Sequence, residues 1–366
     1  MIRSPWFWVS VLLIVAGVAL TALLGVLGWV ALTLAIALFI LDSLLLYSSH
    51  AVPQVDPPSL PELEPVPKEE RLPLIHDCDL SMGRAFRDVG GGLALLYLLG
   101  EPGIDVHAVT TTYGNGPVRL TTRTARRLLN QLGVETPRVF PGAGSPDDSP
   151  EQNEAAVHLV ASVNARPKKF LILATGALTN LRHAATLDPD FFEKVAGLFV
   201  AGGVTGPVVW QERHLVERNF SLDPEAAYMI IRASCPVTIV PGEAGLSSII
   251  RCPQFAALAA LDDPVSCLIV KRTRIWFGLM RLWFCDDGFA AWESIAAAAI
   301  MRPDVLRIDK GYLPTTIDDL RSGHLVFDKD AVGPVRLVRG VRDYEGFVEA
   351  QLAAWHHLGR SIEGRE

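Results

Sequence analysis

From residue 72 onward, short apolar runs alternate with helical patterns, and this alternation is the strongest constraint on what the chain can become. "LPLIHD", "IDVHAVTTTYG", "KFLILATG", "VAGLFVAGG" and "CPVTIVPG" read as strands, most of them ending in glycine. Between them lie "LALLYLLG", a buried helix ending at Gly100, "RLTTRTARRLLNQLG", amphipathic with its basic residues on one side, and the helical "LTNLRHAATL" and "PEAAYMIIRAS". Such β–α alternation predicts an open, mostly parallel sheet flanked by helices on both faces. In that architecture ligands bind beyond the carboxyl ends of the strands. Polar residues stand there: Asp77 and Asp79, then Thr111, Thr112 and Asn115, then Thr175 and Asn180, then Glu217, Asn219 and Asp223. One such residue alone is usually a turn former or a helix cap. Four consecutive strand ends carrying carboxylate, amide or hydroxyl groups point instead to a site for a polyhydroxylated ligand.

The N-terminus imposes a second constraint. No charged residue occurs between Pro5 and Leu41, and the apolar character runs on to Tyr47. Roughly 20 residues cross a bilayer core, so the stretch is too long for one span. It divides at "GVLGW" into two expected transmembrane helices, about 5–24 and 29–47, within residues 1–50. Its length also argues against a secretory signal peptide. Trp6, Trp8, Trp29 and Tyr47 lie near the span ends, where interfacial aromatics belong. Arg3 flanks one end, Lys68 and Arg71 follow the other, and the hairpin loop carries no charge. The expectation is a multi-pass protein of the cell membrane with its globular domain in the cytoplasm.

Residues 51–71 are expected to form a Pro-rich linker, since "AVPQVDPPSLPELEPVPKEERLP", running on to Pro73, holds seven prolines and no apolar period. The globular domain is expected over 72–366. Arg3 and Asp42 cancel, so the whole net charge of −7 belongs to the rest of the chain. An acidic domain read as lacking a basic patch is a poor nucleic-acid binder. Five scattered cysteines, an odd number, are unlike a disulfide framework.

"DCD" after a strand, then "VTTTYGN", "ATGALTNL" and "ERNFSLDPEAA" in that order, resemble the inosine–uridine-preferring nucleoside hydrolase family over roughly Leu72 to Arg360. The resemblance implies an N-ribosyl hydrolase that cleaves purine or pyrimidine ribonucleosides to base and ribose with a bound Ca²⁺ and a metal-activated water. It also suggests homo-oligomers. A divalent cation lowers the pKa of water and a carboxylate takes its proton, while calcium prefers 6–8 oxygen ligands. Matched motif by motif, Asp79 is metal ligand and general base, with Asp77 supporting it from behind. Thr175 gives a backbone carbonyl to the metal, and Asn115, Glu217 and Asn219 grip the ribose. In "AAWESIAAAAIMRPDVL" Glu293 replaces the family's late metal-binding aspartate and Trp292 its histidine. Trp292 cannot protonate a leaving base but can stack on one.

One motif departs from the pattern. After Asp88-Val89, Gly90 and Gly91 stand where the resemblance implies a pair of aspartates, one ligating calcium and the other contacting ribose. Two readings follow: a working hydrolase in which Asp88, Asp286 or Asp287 compensates, or a catalytically impaired relative that binds a nucleoside or ribosyl ligand at the membrane. "DCDLS" also fits the first motif of haloacid dehalogenase-type phosphatases, where "TTTYGN" and "ERNFSLDPEAA" have no place. "GGG" before a helix can cradle an anion, but more often it is a flexible helix entry.

Overall fold

The computed structural model describes residues 55–134, 136–284, 286 and 288–364, with positions 12, 15, 16, 29, 30, 33, 34, 36 and 37. Both expected membrane spans therefore lie almost wholly outside the described residues. The nine positions given there are helical and exposed, and Thr33 Oγ1 donates to the Trp29 carbonyl at 2.8 Å. Among the described residues, no helix is long and apolar enough to cross a membrane.

The strands described, in chain order, are β1 (Leu72–Cys78), β2 (Ile104–Thr111), β3 (Arg138–Pro141), β4 (Leu171–Ala174), β5 (Gly197–Ala201), β6 (Val208–Trp210), β7 (Arg213–Leu215), β8 (Val237–Val240), β9 (Ile249–Arg251), β10 (Gly288–Ala290), β11 (Leu306–Gly311) and β12 (Val335–Val341). Eight form one sheet in the order β11-β12-β8-β5-β4-β1-β2-β3. All its pairings are parallel except β11 with β12. The pairs β6–β7 and β9–β10 are separate antiparallel ribbons. Central strands are apolar throughout because helices cover both faces. Successive side chains alternate between those faces. Leu74 and Leu173 accordingly enter one hydrophobic core, and Ile75 and Ile172 the other.

Helix Gly90–Gly100 is buried along almost its whole length. It packs against the C-terminal helix Tyr344–Glu363, where Trp355 Nε1 donates to the Leu93 carbonyl at 3.3 Å. A Cβ on Gly100 would fall 2.0 Å from the Ala354 carbonyl oxygen, so glycine is what lets the two helices meet. The triple glycine serves a similar end. Gly90, Gly91 and Gly92 form the buried first turn, and a Cβ on Gly92 would sit 2.4 Å from Met82 Sδ. It permits close approach and is not a flexible entry.

Ahead of β1, Leu60 and Leu63 pack on the core and Arg71 Nε donates to the Val66 carbonyl. The second half of the linker thus lies on the domain.

Candidate active site

The end of β1 carries the first two carboxylates. Asp77 is fully buried, and its Oδ1 accepts from Thr110 Oγ1 at 2.6 Å and Asn180 Nδ2 at 2.7 Å. Asn180 also donates to the Thr111 carbonyl and accepts from Ala143 N–H and Asn153 Nδ2. Asp77 is therefore the hub that ties three strand ends together. Burial pushes its carboxyl up to about 6 against the opposing pull of Thr110 and Asn180.

Asp79, two residues on, is 5 % exposed and accepts the Asn115 backbone N–H on Oδ2 at 2.6 Å. Burial raises it to about 7, the negative charges of Asp88 and Asp77 adding to the rise and the Asn115 hydrogen bond opposing it. A carboxyl poised near neutrality suits a general base.

Asp88 and Glu293 complete a group of three carboxylates around the cleft floor. Asp88 accepts the Gly90 N–H on Oδ1 at 2.8 Å, and Asn115 clamps its backbone from both sides: Asp88 N–H donates to Asn115 Oδ1, and Asn115 Nδ2 donates to the Asp88 carbonyl. Glu293 opens helix Trp292–Met301 and reaches across to Gly90. A Cβ built on Gly90 would lie 1.7 Å from Glu293 Oε2 and 3.0 Å from Asp88 Oδ1. The Glu293 carboxyl thus occupies the space in which a side chain at position 90 would begin. Burial, then the charges of Asp88 and Asp79, hold it well above the usual carboxylate range. Burial also raises Asp88.

The expected calcium can be tested on these donor atoms. Asp88 Oδ2, Glu293 Oε2 and Asp77 Oδ2 are buried without a partner, and such oxygens welcome a cation or a proton. Among the described residues, however, no three His, Cys, Asp or Glu side chains converge on one point that could hold a metal ion. Charge and free oxygens are present; a convergent cage is not. The described residues by themselves do not form the cage of a tightly held calcium ion.

The remaining expected residues divide. Asn115, Glu217, Asn219 and Trp292 line the same cleft of about 480 Å³ as Asp79, Asp88 and Glu293. Thr175 sits behind it, 1 % exposed, its N–H on the Asp77 carbonyl and its hydroxyl 3.0 Å from His76 Nε2. Its neighbour Gly176 abuts Asp79, where a Cβ would be 3.0 Å from the Asp79 nitrogen.

Two of the residues expected to grip the ribose also hold the protein's own backbone. Both polar atoms of the Asn115 amide hold the Asp88 backbone, so Asn115 braces a carboxylate. Glu217 Oε1 accepts from the N–H groups of Gly203, Asn219 and Phe220, and Oε2 from Ser221, so Glu217 first of all folds its own loop. Asn219 donates to the Ala201 carbonyl, which leaves its amide oxygen without a protein partner among the described residues.

Of the candidate compensators, Asp286 is committed elsewhere. It pairs with Arg251 and accepts from Trp210 Nε1 at 2.8 Å and Gln211 Nε2 at 3.1 Å. Burial alone would raise it, and these hydrogen bonds hold it below the usual range. Asp287 lies outside the described residues.

The same cleft is also lined by aromatic side chains. Trp210 stacks on Phe284 with centroids 4.7 Å apart, Trp292 meets Trp210 edge-on at 6.5 Å, and Trp276 meets Trp283 edge-on at 6.2 Å. Trp276, Met280, Trp283 and Phe284 share one face of helix Pro264–Phe284. Their i, i+4, i+7, i+8 spacing is the signal by which Met280 and Phe284 could have been found from sequence. Phe86, 6.4 Å from Trp283, offered no such signal. Trp292 donates its indole N–H to the Gly242 carbonyl at 2.7 Å and so has no free donor for a ligand. Trp276 Nε1, by contrast, is buried without a partner.

Residues 74–349 match the family model described as inosine-uridine preferring nucleoside hydrolase. The chain is 28 % identical over 261 residues to the pyrimidine-specific ribonucleoside hydrolase RihA of Klebsiella pneumoniae, covering 64 % of this chain and 81 % of that one. It is 27 % identical over 225 residues to RihA of Citrobacter koseri, covering 55 % and 69 %. Among solved structures, the purine-preferring ribonucleoside hydrolase from Gardnerella vaginalis superposes with a TM-score of 0.68 at 20 % identity, over 79 % of this chain and 99 % of that one. The plant nucleoside hydrolase PpNRh1 gives 0.67 at 22 %, over 77 % and 98 %. At such identities these structures speak for the fold.

Proposed function

Because the chain belongs to the inosine–uridine-preferring nucleoside hydrolase family, we propose that its cleft binds a ribonucleoside and hydrolyses the N-ribosidic bond. One observation carries the reading: a buried carboxyl poised near neutrality, Asp79, shares a cleft with a wall of tryptophans. The base lies among the aromatic side chains, where stacking contributes about 1–3 kcal/mol. The ribose then points to the carboxylates, and Asn219 offers its free amide oxygen to a sugar hydroxyl.

In the reaction a water adds to the anomeric carbon and Asp79 accepts its proton. The electrons of the C–N bond leave with the base, which takes a proton from solvent. The negative charges of Asp88 and Asp79 stabilise the oxocarbenium-like sugar as positive charge develops on it. A second reading, binding without turnover, is favoured by Gly90 and Gly91 and by the lack, among the described residues, of a convergent metal cage.

Calorimetry and assay of released ribose on the full chain in detergent separate the two. Uridine or inosine is expected to bind and to yield free base. Heat without product supports the second reading, and neither heat nor product at millimolar nucleoside overturns both. Trp276→Phe keeps an aromatic ring, smaller than the indole, and removes the unpartnered N–H. It is expected to weaken binding by about 1 kcal/mol, roughly fivefold, if that group donates to the base.

We further propose that residues 5–47 tether the domain to a membrane with the domain on the cytoplasmic side, a reading supported by the uncharged run and its basic flanks. Reporter fusions after Pro67 are expected to be active only as cytoplasmic reporters; an exported signal refutes the hairpin or its orientation.

A further inference from the structure

The chain carries a net charge of −7, yet one face of the domain is cationic, which corrects the sequence reading of a domain without a basic patch. Helix Val118–Gln131 exposes Arg119, Arg123, Arg126 and Arg127 along a groove of about 630 Å³. Arg84 Nε donates to Thr124 Oγ1 of that helix at 3.1 Å, and Arg272 of helix Pro264–Phe284 bonds Gln131. Loop 81–88 lies between the two helices, where Gly83 lets Arg272 pass: a Cβ there would be 2.6 Å from Arg272 Cδ. Arg272 lies close enough to Arg127 and Arg84 for their charges to depress it further, beyond the effect of burial. Among the described residues, none of these six arginines has a carboxylate at ion-pair distance.

Apolar side chains project beside them. Phe86 is 68 % exposed, Ile275 47 % and Trp283 36 %. Phe86 and Trp283 also form the rim of the ligand cleft. Clustered arginine charge next to exposed aromatic and aliphatic tips is the composition of an interfacial surface, with cations for lipid phosphates and rings for the headgroup boundary.

We propose that this face, formed by loop 81–88 and the arginine-bearing sides of helices Val118–Gln131 and Pro264–Phe284, docks on an anionic bilayer surface. Docking would set the mouth of the cleft against the membrane. Two arguments favour lipid over other polyanions. The patch ends in exposed apolar side chains, which suit an acyl boundary, and the chain carries its own apolar run of residues 5–47. It rests on the tether proposed above for proximity alone. Each basic residue near an anionic surface strengthens docking roughly fivefold, so removing three weakens it about a hundredfold.

The test uses the full chain reconstituted into vesicles of phosphatidylcholine alone or with phosphatidylglycerol at about a third. Amide hydrogen exchange is followed in loop 81–88. Exchange there is expected to slow at least threefold in the anionic vesicles, to recover in high salt, and to stay fast in a variant carrying Arg123→Glu, Arg126→Glu and Arg127→Glu. These three side chains are exposed, and unchanged exchange in β1 and β4 confirms that the variant is folded. Equal exchange in both lipids overturns the proposal, as does protection that survives the triple reversal. Protection produced by a single-stranded oligonucleotide in neutral vesicles, with none from anionic lipid, overturns it in favour of nucleic acid. Flotation of the chain with neutral vesicles reports the tether separately from the docking.

Discussion

Aspartate introduced at position 90 alone is expected to weaken the domain without creating a calcium site. The family resemblance makes Gly90→Asp look like a restoration, but the space is taken. A Cβ at Gly90 would stand 1.7 Å from Glu293 Oε2 and 2.6 Å from its Cδ, and the new carboxylate would face Asp88 and Asp79 as well. Overpacking of this kind costs about 1–3 kcal/mol, and a further buried like charge adds to it. Chemical denaturation should show a loss of about 2–3 kcal/mol. Shortening the competing side chain changes the outcome. In Gly90→Asp with Glu293→Asp, the second carboxylate retreats by one methylene and the first enters the vacated space. Gly91→Asp adds a second carboxylate at a position where a Cβ has room, meeting only Leu80 atoms at 3.5–3.9 Å. Ligand charge count and geometry control calcium affinity, and weak sites sit at roughly 10⁻⁴–10⁻³ M. Calorimetry is expected to show binding in that range or weaker for the native domain, and at least tenfold tighter for the combined variant. Tight calcium binding by Gly90→Asp alone, with full stability, would mean that Glu293 yields freely and that its placement is incidental.

That pair of positions also shows where reading the sequence stops. Gly90 and Glu293 are both visible as departures from a motif, but 203 positions separate them and nothing local says that one fills the space left by the other. The strands were legible because their signals are local: apolar runs at β1, β2, β4, β5 and β8, all but the first closed by glycine. The antiparallel pair β11–β12 and the ribbon β9–β10 escaped, since their pairing joins segments far apart in sequence, and the local β6–β7 hairpin escaped because its strands are only three residues each. Of the carboxylates and amides at strand ends, Asp79, Asn115, Glu217 and Asn219 line one cleft, whereas Asp77, Asn180 and Asp223 are buried outside its lining. Their hydrogen-bond partners were not legible. Asn115 and Glu217 face the cleft, as their motifs suggested, but the Asp88 backbone and the 203–221 loop use their polar atoms. The four tryptophans of the aromatic wall, Trp210, Trp276, Trp283 and Trp292, are scattered in sequence, and the helical period joins two of them to Met280 and Phe284. What that face looks upon is a tertiary fact.

Asp79→Asn is expected to separate catalysis from stability. The amide keeps the volume and can still accept the Asn115 N–H, so nucleoside binding should change by no more than a few-fold. Without a base, any turnover of the native chain should fall by about 10²–10⁴. The pH dependence identifies the group. Asp79 must be ionised to take a proton, and burial has lifted it to about 7. The native kcat/KM should therefore rise about tenfold per pH unit below 7 and level off above it, and the variant should lose that limb. Stability runs the opposite way. The folded state holds the Asp79 proton more tightly than the unfolded chain, so this group favours folding fully at low pH. That contribution fades as pH rises from about 4 and is gone above about 7, a loss of up to roughly 4 kcal/mol. An amide does not ionise. Asp79→Asn should thus match the native domain in denaturation at pH 4 and exceed it at pH 8. Were the variant less stable than the native domain at pH 8, the ionised carboxylate would have to be held by a favourable partner, and a bound cation between Asp79 and Asp88 would be the first candidate.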